Sequence, residues 1–400
     1  MNSKKNVIQI SVLAAGILAA TQVQAQQTTV SVTDYREATS AYDELYLRGS
    51  LNAGESRTDD QTAYDLNLGI NYDQVFASPD RDFRLRADGD TSVSRGGTAG
   101  DERDSRYDYS ASATVDNYFN RGSSNAFWYG SLGIQGTDAF DSRQISGILG
   151  LGYGRVVNVT PMAKAIRVVE ELRMRGQLTS EPSLDVYQRV ANIIDRESEY
   201  RSRHGAADYQ EIWISDIAKE LQTAGGAAQT LDAAEIIRID DILTRERIST
   251  RRVGWKVRAG LGYVFRSFSG DSNSDPALEL GAEYHYPLSN RTQFSDEAVL
   301  TTIVNDNDDS YTLRNVMSLT HEIADRVDWE NAWTLTYDKN GPTGTATTVN
   351  TVSTALFYEL RNQLDLTTTL ALSNYSGDET VASPNGTDTS LFVGLRYRLK

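Results

Sequence analysis

Along most of the chain, apolar and polar side chains alternate one for one. From Val253 to Arg266 every odd position (Val253, Trp255, Val257, Ala259, Leu261, Tyr263, Phe265) is apolar or aromatic. The even positions are glycine or a cation, apart from Val264. Successive side chains of a strand point to opposite faces, so this stretch predicts a strand with one greasy face and one polar or very small one. It is longer than an ordinary globular strand and covers the ~9–11 tilted residues that cross a bilayer in a transmembrane β-barrel.

The same period of two predicts strands near 43–53, 62–75, 82–95, 105–118, 126–137 and 143–156. It resumes near 252–266, 277–288, 292–304, 311–322, 327–338, 348–360, 363–375 and 389–399. About fourteen strands result, an even number of the kind single-chain bacterial barrels show. Leu66, Leu68, Ile70 and Tyr72 share one face, as do Phe83, Leu85 and Ala87, and Ile145, Leu149, Leu151 and Tyr153. The alternation falters where Asp296 and Asn315 fall on the greasy face. A soluble sandwich with one wet face also alternates; strand length and aromatic strand ends favour the barrel.

The connections divide into two sets. If the first strand rises from the periplasm, the outer connections (96–104, 267–275, 339–347, 377–388) are long and rich in Gly, Ser, Asn and Asp. The inner ones (78–80, 288–290, 324–326, 361–362) are short, which is the asymmetry of outer-membrane barrels. At the C-terminus Leu391, Val393, Leu395, Tyr397 and Leu399 alternate, with Gly394 three residues before Tyr397. This resembles the terminal strand signal of bacterial outer-membrane β-barrel, porin-like proteins, and departs from it by ending Leu399-Lys400. The resemblance implies an all-β transmembrane up-and-down antiparallel barrel, an architecture that serves many functions.

Residues 159–250 break the pattern with helical period. Thr160-Pro161 reads as a helix start, Met162, Ile166, Val169 and Leu172 as its apolar stripe, and Gly176 as its stop. Val186, Val190, Ile193 and Ile194 mark a second helix, and Tyr209, Trp213, Ile217 and Leu221 a third, ended by Gly225-Gly226. Ala233 to Ile248 reads as a fourth, with Ile236, Ile239 and Leu243 aligned. Six strands precede this small all-α insert, so it is expected in the periplasm, where it would cap the barrel, gate it or dock a protein partner. The expected organisation is a signal peptide at 1–25, barrel at 26–158, insert at 159–250 and barrel again at 251–400.

Composition changes the picture in three places. Lys4 and Lys5, the apolar run from Val7 to Ala20 and Val23-Gln24-Ala25 read as a secretory signal peptide cut after Ala25, directing the protein to the outer membrane. There is no cysteine, hence no disulfide and no thiolate metal site. The formal charge of −16 disfavours nucleic acid. The mean hydropathy of −0.45 fits a barrel, which hides its apolar content in alternate positions.

Candidate chemistry lies on the inward faces. Arg84, Arg86, Lys256, Arg258, Arg396 and Arg398 are all expected in the periplasmic half of the lumen, where a cationic constriction would favour anionic solutes. The competing reading pairs them: Lys256 and Arg258 with Glu283 and His285, Arg266 with Glu279, and Arg84 and Arg86 with Asp73. Tyr107, Trp128, Tyr153, Tyr263, Phe265, Tyr286, Trp329 and Tyr397 fit interfacial girdles against membrane lipid. Tyr46 and Tyr129 are the inward candidates for a sugar-binding surface. Glu283 and His285 could supply a carboxylate and a base, but a satisfied, charge-paired histidine is the favoured reading. Residues 305–309 could ligate calcium but lack the spacing of a calcium loop. No metal or cofactor is implied. The leading expectation is a non-enzymatic channel for small hydrophilic solutes. The alternatives are an export component whose insert binds a periplasmic partner, and a barrel hydrolase.

Overall fold

The computed structural model describes residues 30–37, 39–54, 61–119, 125–138, 143–224, 231–266, 275–304, 310–341, 343–361, 363–378 and 385–399. The signal peptide, residues 305–309 and Gly225-Gly226 lie outside the described residues, as does the Arg266 side chain. The compact unit described below is Val32–Lys400.

Its frame is fourteen strands: β1 (Ser40–Gly54), β2 (Ala63–Ala77), β3 (Arg81–Arg95), β4 (Asp104–Tyr118), β5 (Ala126–Thr137), β6 (Gln144–Asn158), β7 (Arg252–Arg266), β8 (Asp275–Ser289), β9 (Thr292–Ile303), β10 (Tyr311–Ala324), β11 (Val327–Lys339), β12 (Ala346–Arg361), β13 (Leu364–Gly377) and β14 (Gly386–Arg398). Each pairs antiparallel with its sequence neighbours, and β1 closes on β14 through Tyr46 opposite Arg398 and Arg48 opposite Arg396. Closure pairs both edges of the sheet, so every strand is hydrogen-bonded on two sides, as hydrocarbon surroundings require.

Alternation sorts the side chains as the period of two predicts. Trp255, Val257, Leu261, Tyr263 and Phe265 are exposed on the outside, with Leu261 at 67%. Lys256, Arg258, Gly260 and Val264 point inward. Apart from the intermediate Trp329, the proposed girdle aromatics are all exposed on the outer face. Asp296 and Asn315 do face outward, and the structure shows how this is tolerated: the Asn315 amide donates to the Asp296 carboxylate at 2.6 Å. Two polar groups that would each be costly against lipid satisfy one another.

Inside the barrel, β5 contributes an apolar core. Phe127 and Tyr129 are fully buried and cluster with Tyr118, Ile148, Val264 and Ala277. The aromatic rings lie over inward glycines of β6 and β7. A Cβ on Gly152 would stand 2.2 Å from the Phe127 ring, and one on Gly260 would stand 2.4 Å from the Tyr129 hydroxyl. The glycines of the Val253–Arg266 stretch therefore make room for β5 side chains.

The insert comprises α1 (Thr160–Met174), α2 (Leu184–Asp195), α3 (Glu197–Ala224) and α4 (Ala233–Asp240), the last continued by a π-turn at Asp241–Arg245. α1 ends in a paired-bond cap: Gly176, at φ +73°, bonds the Arg173 carbonyl and Gln177 bonds that of Leu172. The predicted stripes of α1 and α3 are buried. Two expectations are corrected. Thr160 is the first helical residue, and its hydroxyl bonds Asn158 Oδ1 at 2.6 Å in place of capping α1. α3 is also broken at Gly205, where φ is +80°, ahead of its predicted stripe. On α4, Ile236 is exposed, whereas Ile239 and, in the π-turn that ends the helix at Arg245, Ile242 and Leu243 are buried.

Candidate functional site

The lumen is crossed by ion pairs. Arg86 on β3 makes a two-point contact with Glu297 on β9, at 2.9 and 3.1 Å. These strands lie six places apart in a ring of fourteen, so the pair joins nearly opposite walls. Arg252 on β7 reaches both Glu297 and Asp73 at 3.5 Å. Lys256 bonds Asp116 on β4 at 2.8 Å and Glu283 at 3.3 Å, and Arg84 pairs with Asp73 at 2.8 Å. A buried charge is retained only when paired, and these pairs meet that condition while bracing the wall.

The six predicted cations do not form one ring. Arg84, Arg86, Lys256 and Arg258 surround a chamber of about 340 Å³. Arg396 instead bonds Asp365 at 3.0 Å and stacks on Phe357, beside a separate chamber of about 310 Å³. Arg398 stands at the rim, where its guanidinium donates to the Arg245 carbonyl at 3.2 Å. Arg258 was expected against Glu283 or His285. It lies opposite Gly281, and its nearest carboxylate is Glu279 at 3.5 Å. A glycine offers no side chain to meet, so the guanidinium passes over it.

Glu283 and Glu297 are direct cross-strand partners. Like charges placed so are destabilising, which explains the surrounding Lys256, Arg86 and Arg252. His285 is buried at 1% exposure. Its Nδ1 meets Ser295 Oγ at 2.9 Å and its Nε2 meets Glu283 at 3.3 Å. With both carboxylates already committed to cations, this cluster is an ion-pair network, and neither a metal nor catalysis is needed to account for it. Tyr129, one of the two proposed sugar-binding tyrosines, is fully buried and donates to Glu279, so it offers no surface to a solute. Asp116, Arg252 and Glu297 escaped the candidate set; their inward register marks their faces, but partners across the lumen leave no trace in local spacing.

At the end of the barrel carrying the insert, residues 246–251 run across the mouth. Arg247 bonds Glu330 at 2.6 Å and Asp328 at 3.1 Å on β11, lies 3.6 Å from Asp365 on β13, and stacks on Phe357 of β12. The Thr250 hydroxyl donates to Glu44 on β1 at 2.8 Å. Fully buried Arg251 bonds Glu322 on β10 at 2.7 Å. Arg167 of α1 bonds the same carboxylate at 2.8 Å and also Asp325 in the β10–β11 turn. One short segment thus touches five strands around the mouth.

A second attachment, where the Tyr35 hydroxyl donates to Asp195 at 3.5 Å, is expected to respond to pH. Burial, the largest cause, raises the Asp195 carboxyl at the end of α2 from 3.8 to about 7; Glu37 adds to this, and Ser40, Tyr35 and Arg196 oppose it. A raised folded value means the undocked form ionises first, so the contact is fully favourable below about 4 and weakens as pH rises to about 7. At ~1.4 kcal/mol per tenfold the full loss is on the order of 4 kcal/mol. The urea midpoint of the insert is expected to fall between pH 5 and pH 8, and Asp195→Asn is expected to flatten that dependence; an equal fall in the variant would assign the effect elsewhere.

The chain is therefore a porin-like transmembrane barrel of the bacterial outer-membrane type, with a charged, partitioned lumen and an insert seated on one mouth. A family model described as "Protein of unknown function, DUF481" matches residues 245–360. No curated protein matches the chain. Similar solved structures include an outer-membrane channel from Pseudomonas putida F1, at 7% identity over 94% of this chain and 99% of that one, TM-score 0.34. Others are OccK2 (OpdF) of Pseudomonas aeruginosa, at 7% identity over 90% and 98%, TM-score 0.33, and an anion-selective porin from Comamonas acidovorans, at 9% over 90% and 100%, TM-score 0.32. At these scores they carry no argument about this chain, whose fold rests on its own strand pairing.

Proposed function

We propose that the protein is an outer-membrane channel for small hydrophilic solutes, held shut at its periplasmic mouth by the helical insert and the segment 246–251. The observation that carries this reading is the pairing of a polar, chambered interior with a covered mouth. Chambers of about 340, 310 and 700 Å³ lie within a wall whose outside is apolar. A barrel that served only as an anchor would gain nothing from chambers lined by charge. Because its lower cations are mostly paired, the lumen as a whole has no strong preference for anions, and selectivity falls to local groups.

Flux through liposomes tests this. The full chain is expected to pass a small neutral sugar slowly, and a chain with 160–250 replaced by a short Gly-Ser turn at least tenfold faster. No flux through either protein, both folded, would overturn the channel reading. The export alternative draws on exposed Met174, Leu184, Ile236 and Ile237 of the insert, an apolar set suited to a protein partner. It predicts that losing the insert abolishes secretion with no gain of flux.

A further inference from the structure

We infer that the seam between β1 and β14, at the end of the barrel away from the insert, is a lateral portal that admits the alkyl chain of an amphiphile whose polar group stays in the lumen. This goes beyond the channel reading above, because it opens the lumen sideways into lipid.

The two edges meet over a short stretch. Pairing runs from Tyr46 opposite Arg398 to Gly49 opposite Leu395 and stops there. Both strands continue on their other sides: β1 stays paired with β2 as far as Gly54, and β14 with β13 as far as Gly386. Carried on, the closing register would set Ser50 opposite Gly394 and Gly54 opposite Ser390, yet no rung joins these described residues. The rungs that do form are weakened. Arg48 and Arg396 are direct cross-strand partners, and like charges so placed repel. Arg48 turns instead to Asp90 at 2.9 Å, and Arg396 to Asp365 at 3.0 Å. Just beyond them the Phe392 ring lies over Gly394, where a Cβ would stand 2.5 Å from its Cζ and 2.7 Å from the Gly49 carbonyl oxygen.

A free edge inside a membrane wall has a chemical consequence. Hydrocarbon offers no partner to backbone N–H and C=O groups, so such edges persist only where they line a water-filled cavity. The chamber of about 700 Å³ supplies that cavity, lined behind the seam by Arg48, Arg396 and Phe392. The outer flanks are apolar: Leu51, Leu391 and Val393 are each more than half exposed. Their depth is that of the hydrocarbon, since Leu51 lies beside Leu66 of β2, between the outward Tyr64 and Tyr72 of that strand. The facing borders are small at Ser50 and Gly54 on one side and at Ser390 and Gly394 on the other, which leaves room for a chain to lie between them. The opening thus joins a charged chamber, hydrogen-bonding strand edges and an apolar rim. A wholly polar solute is opposed by the rim and a wholly apolar one by the edges; an amphiphile satisfies both.

Photo-crosslinking tests the portal. The full-length protein carrying Phe392→p-benzoylphenylalanine is reconstituted in phosphatidylcholine liposomes, with and without added dodecanoate, and irradiated. Alkyl adducts on this inward position are expected by mass spectrometry, and their mass tells bilayer lipid from free amphiphile. Because the chain has no cysteine, Leu51→Cys with Val393→Cys can lock the seam by a disulfide, or by a bismaleimide where the edges stand too far apart. Locking is expected to cut the adduct yield at least tenfold, and reducing the disulfide to restore it. Gln135→p-benzoylphenylalanine, inward on β5 and away from the seam, is expected to give no adduct. Heat-modifiable gel mobility verifies that each variant is folded. No alkyl adduct at 392 in a folded protein, or an equal yield with the seam locked, overturns the inference. So does a crosslink to a second copy in place of the alkyl adduct, which would assign the free edges to strand addition between copies. Neutral-sugar flux reports the axial path separately: flux without adducts leaves the channel and removes the portal, and adducts without flux do the reverse.

Discussion

Glu322→Leu is expected to release the insert from the barrel mouth. The Glu322 carboxylate is 3% exposed and holds two guanidiniums, those of Arg251 at 2.7 Å and Arg167 at 2.8 Å. It also accepts the Ser249 amide at 3.3 Å. Arg167 keeps Asp325 when Glu322 is lost, but Arg251 is wholly buried and keeps only backbone carbonyls. Removing one partner of a buried pair costs about 3–5 kcal/mol, because the other charge is left uncompensated. That cost falls on the docked state alone, since a released Arg251 is hydrated. Limited trypsin digestion is the readout: cleavage at Arg247 and Arg251 is expected to rise by two orders of magnitude or more, while the barrel stays folded. The double variant with Arg251→Leu should recover much of the loss, because it removes the stranded charge as well. Unchanged cleavage in Glu322→Leu would show that α1 and the Asp195 contact hold the insert by themselves.

These contacts mark where the sequence stops being legible. Strand number, strand faces and the position of the helical interruption could be read because each depends on neighbours in the chain. Lipid outside and charge inside impose a period of two, and residues such as Trp255 and Lys256 declare their faces at once. Cross-strand neighbours one hairpin away were partly legible too, as with Lys256 and Glu283. Arg86 and Glu297 were not: they are more than two hundred positions apart, and their meeting depends on barrel diameter and strand stagger, which no local pattern encodes. The same holds for Arg247, which lies outside every strand and reads as an ordinary surface arginine. Arg258 is the instructive case. Its face was right and its partner was wrong, because the residue opposite is a glycine and the side chain crosses it.

Gly260→Val is expected to prevent the barrel from closing properly. Gly260 faces Gly150 directly across the β6–β7 ladder. A Cβ at 260 would meet the Tyr129 hydroxyl at 2.4 Å, Ile148 Cγ2 at 2.6 Å and the Leu149 carbonyl at 2.9 Å. The reciprocal position is tighter still: a Cβ on Gly150 would lie 2.2 Å from the Ala259 carbonyl and 2.5 Å from Gly260 Cα. A flexible side chain can yield a few tenths of an ångström; a ladder carbonyl cannot yield without loss of its hydrogen bond. Overpacking usually costs about 1–3 kcal/mol, and here the ladder hydrogen bond is at risk as well. In a closed sheet one failed pairing exposes two edges, which the bilayer penalises heavily. Refolding into detergent micelles should therefore yield almost no heat-modifiable band for Gly260→Val and a reduced one for Gly260→Ala. Gly54→Ala, whose Cβ would meet nothing within 4 Å, should refold as the parent does. Combining Gly260→Ala with Tyr129→Leu removes the closest of the three obstacles, and partial recovery of the folded band is expected. Full refolding of Gly260→Val would mean that Tyr129 does not lie over β7, and would detach the apolar core of β5 from the glycine row that makes room for it.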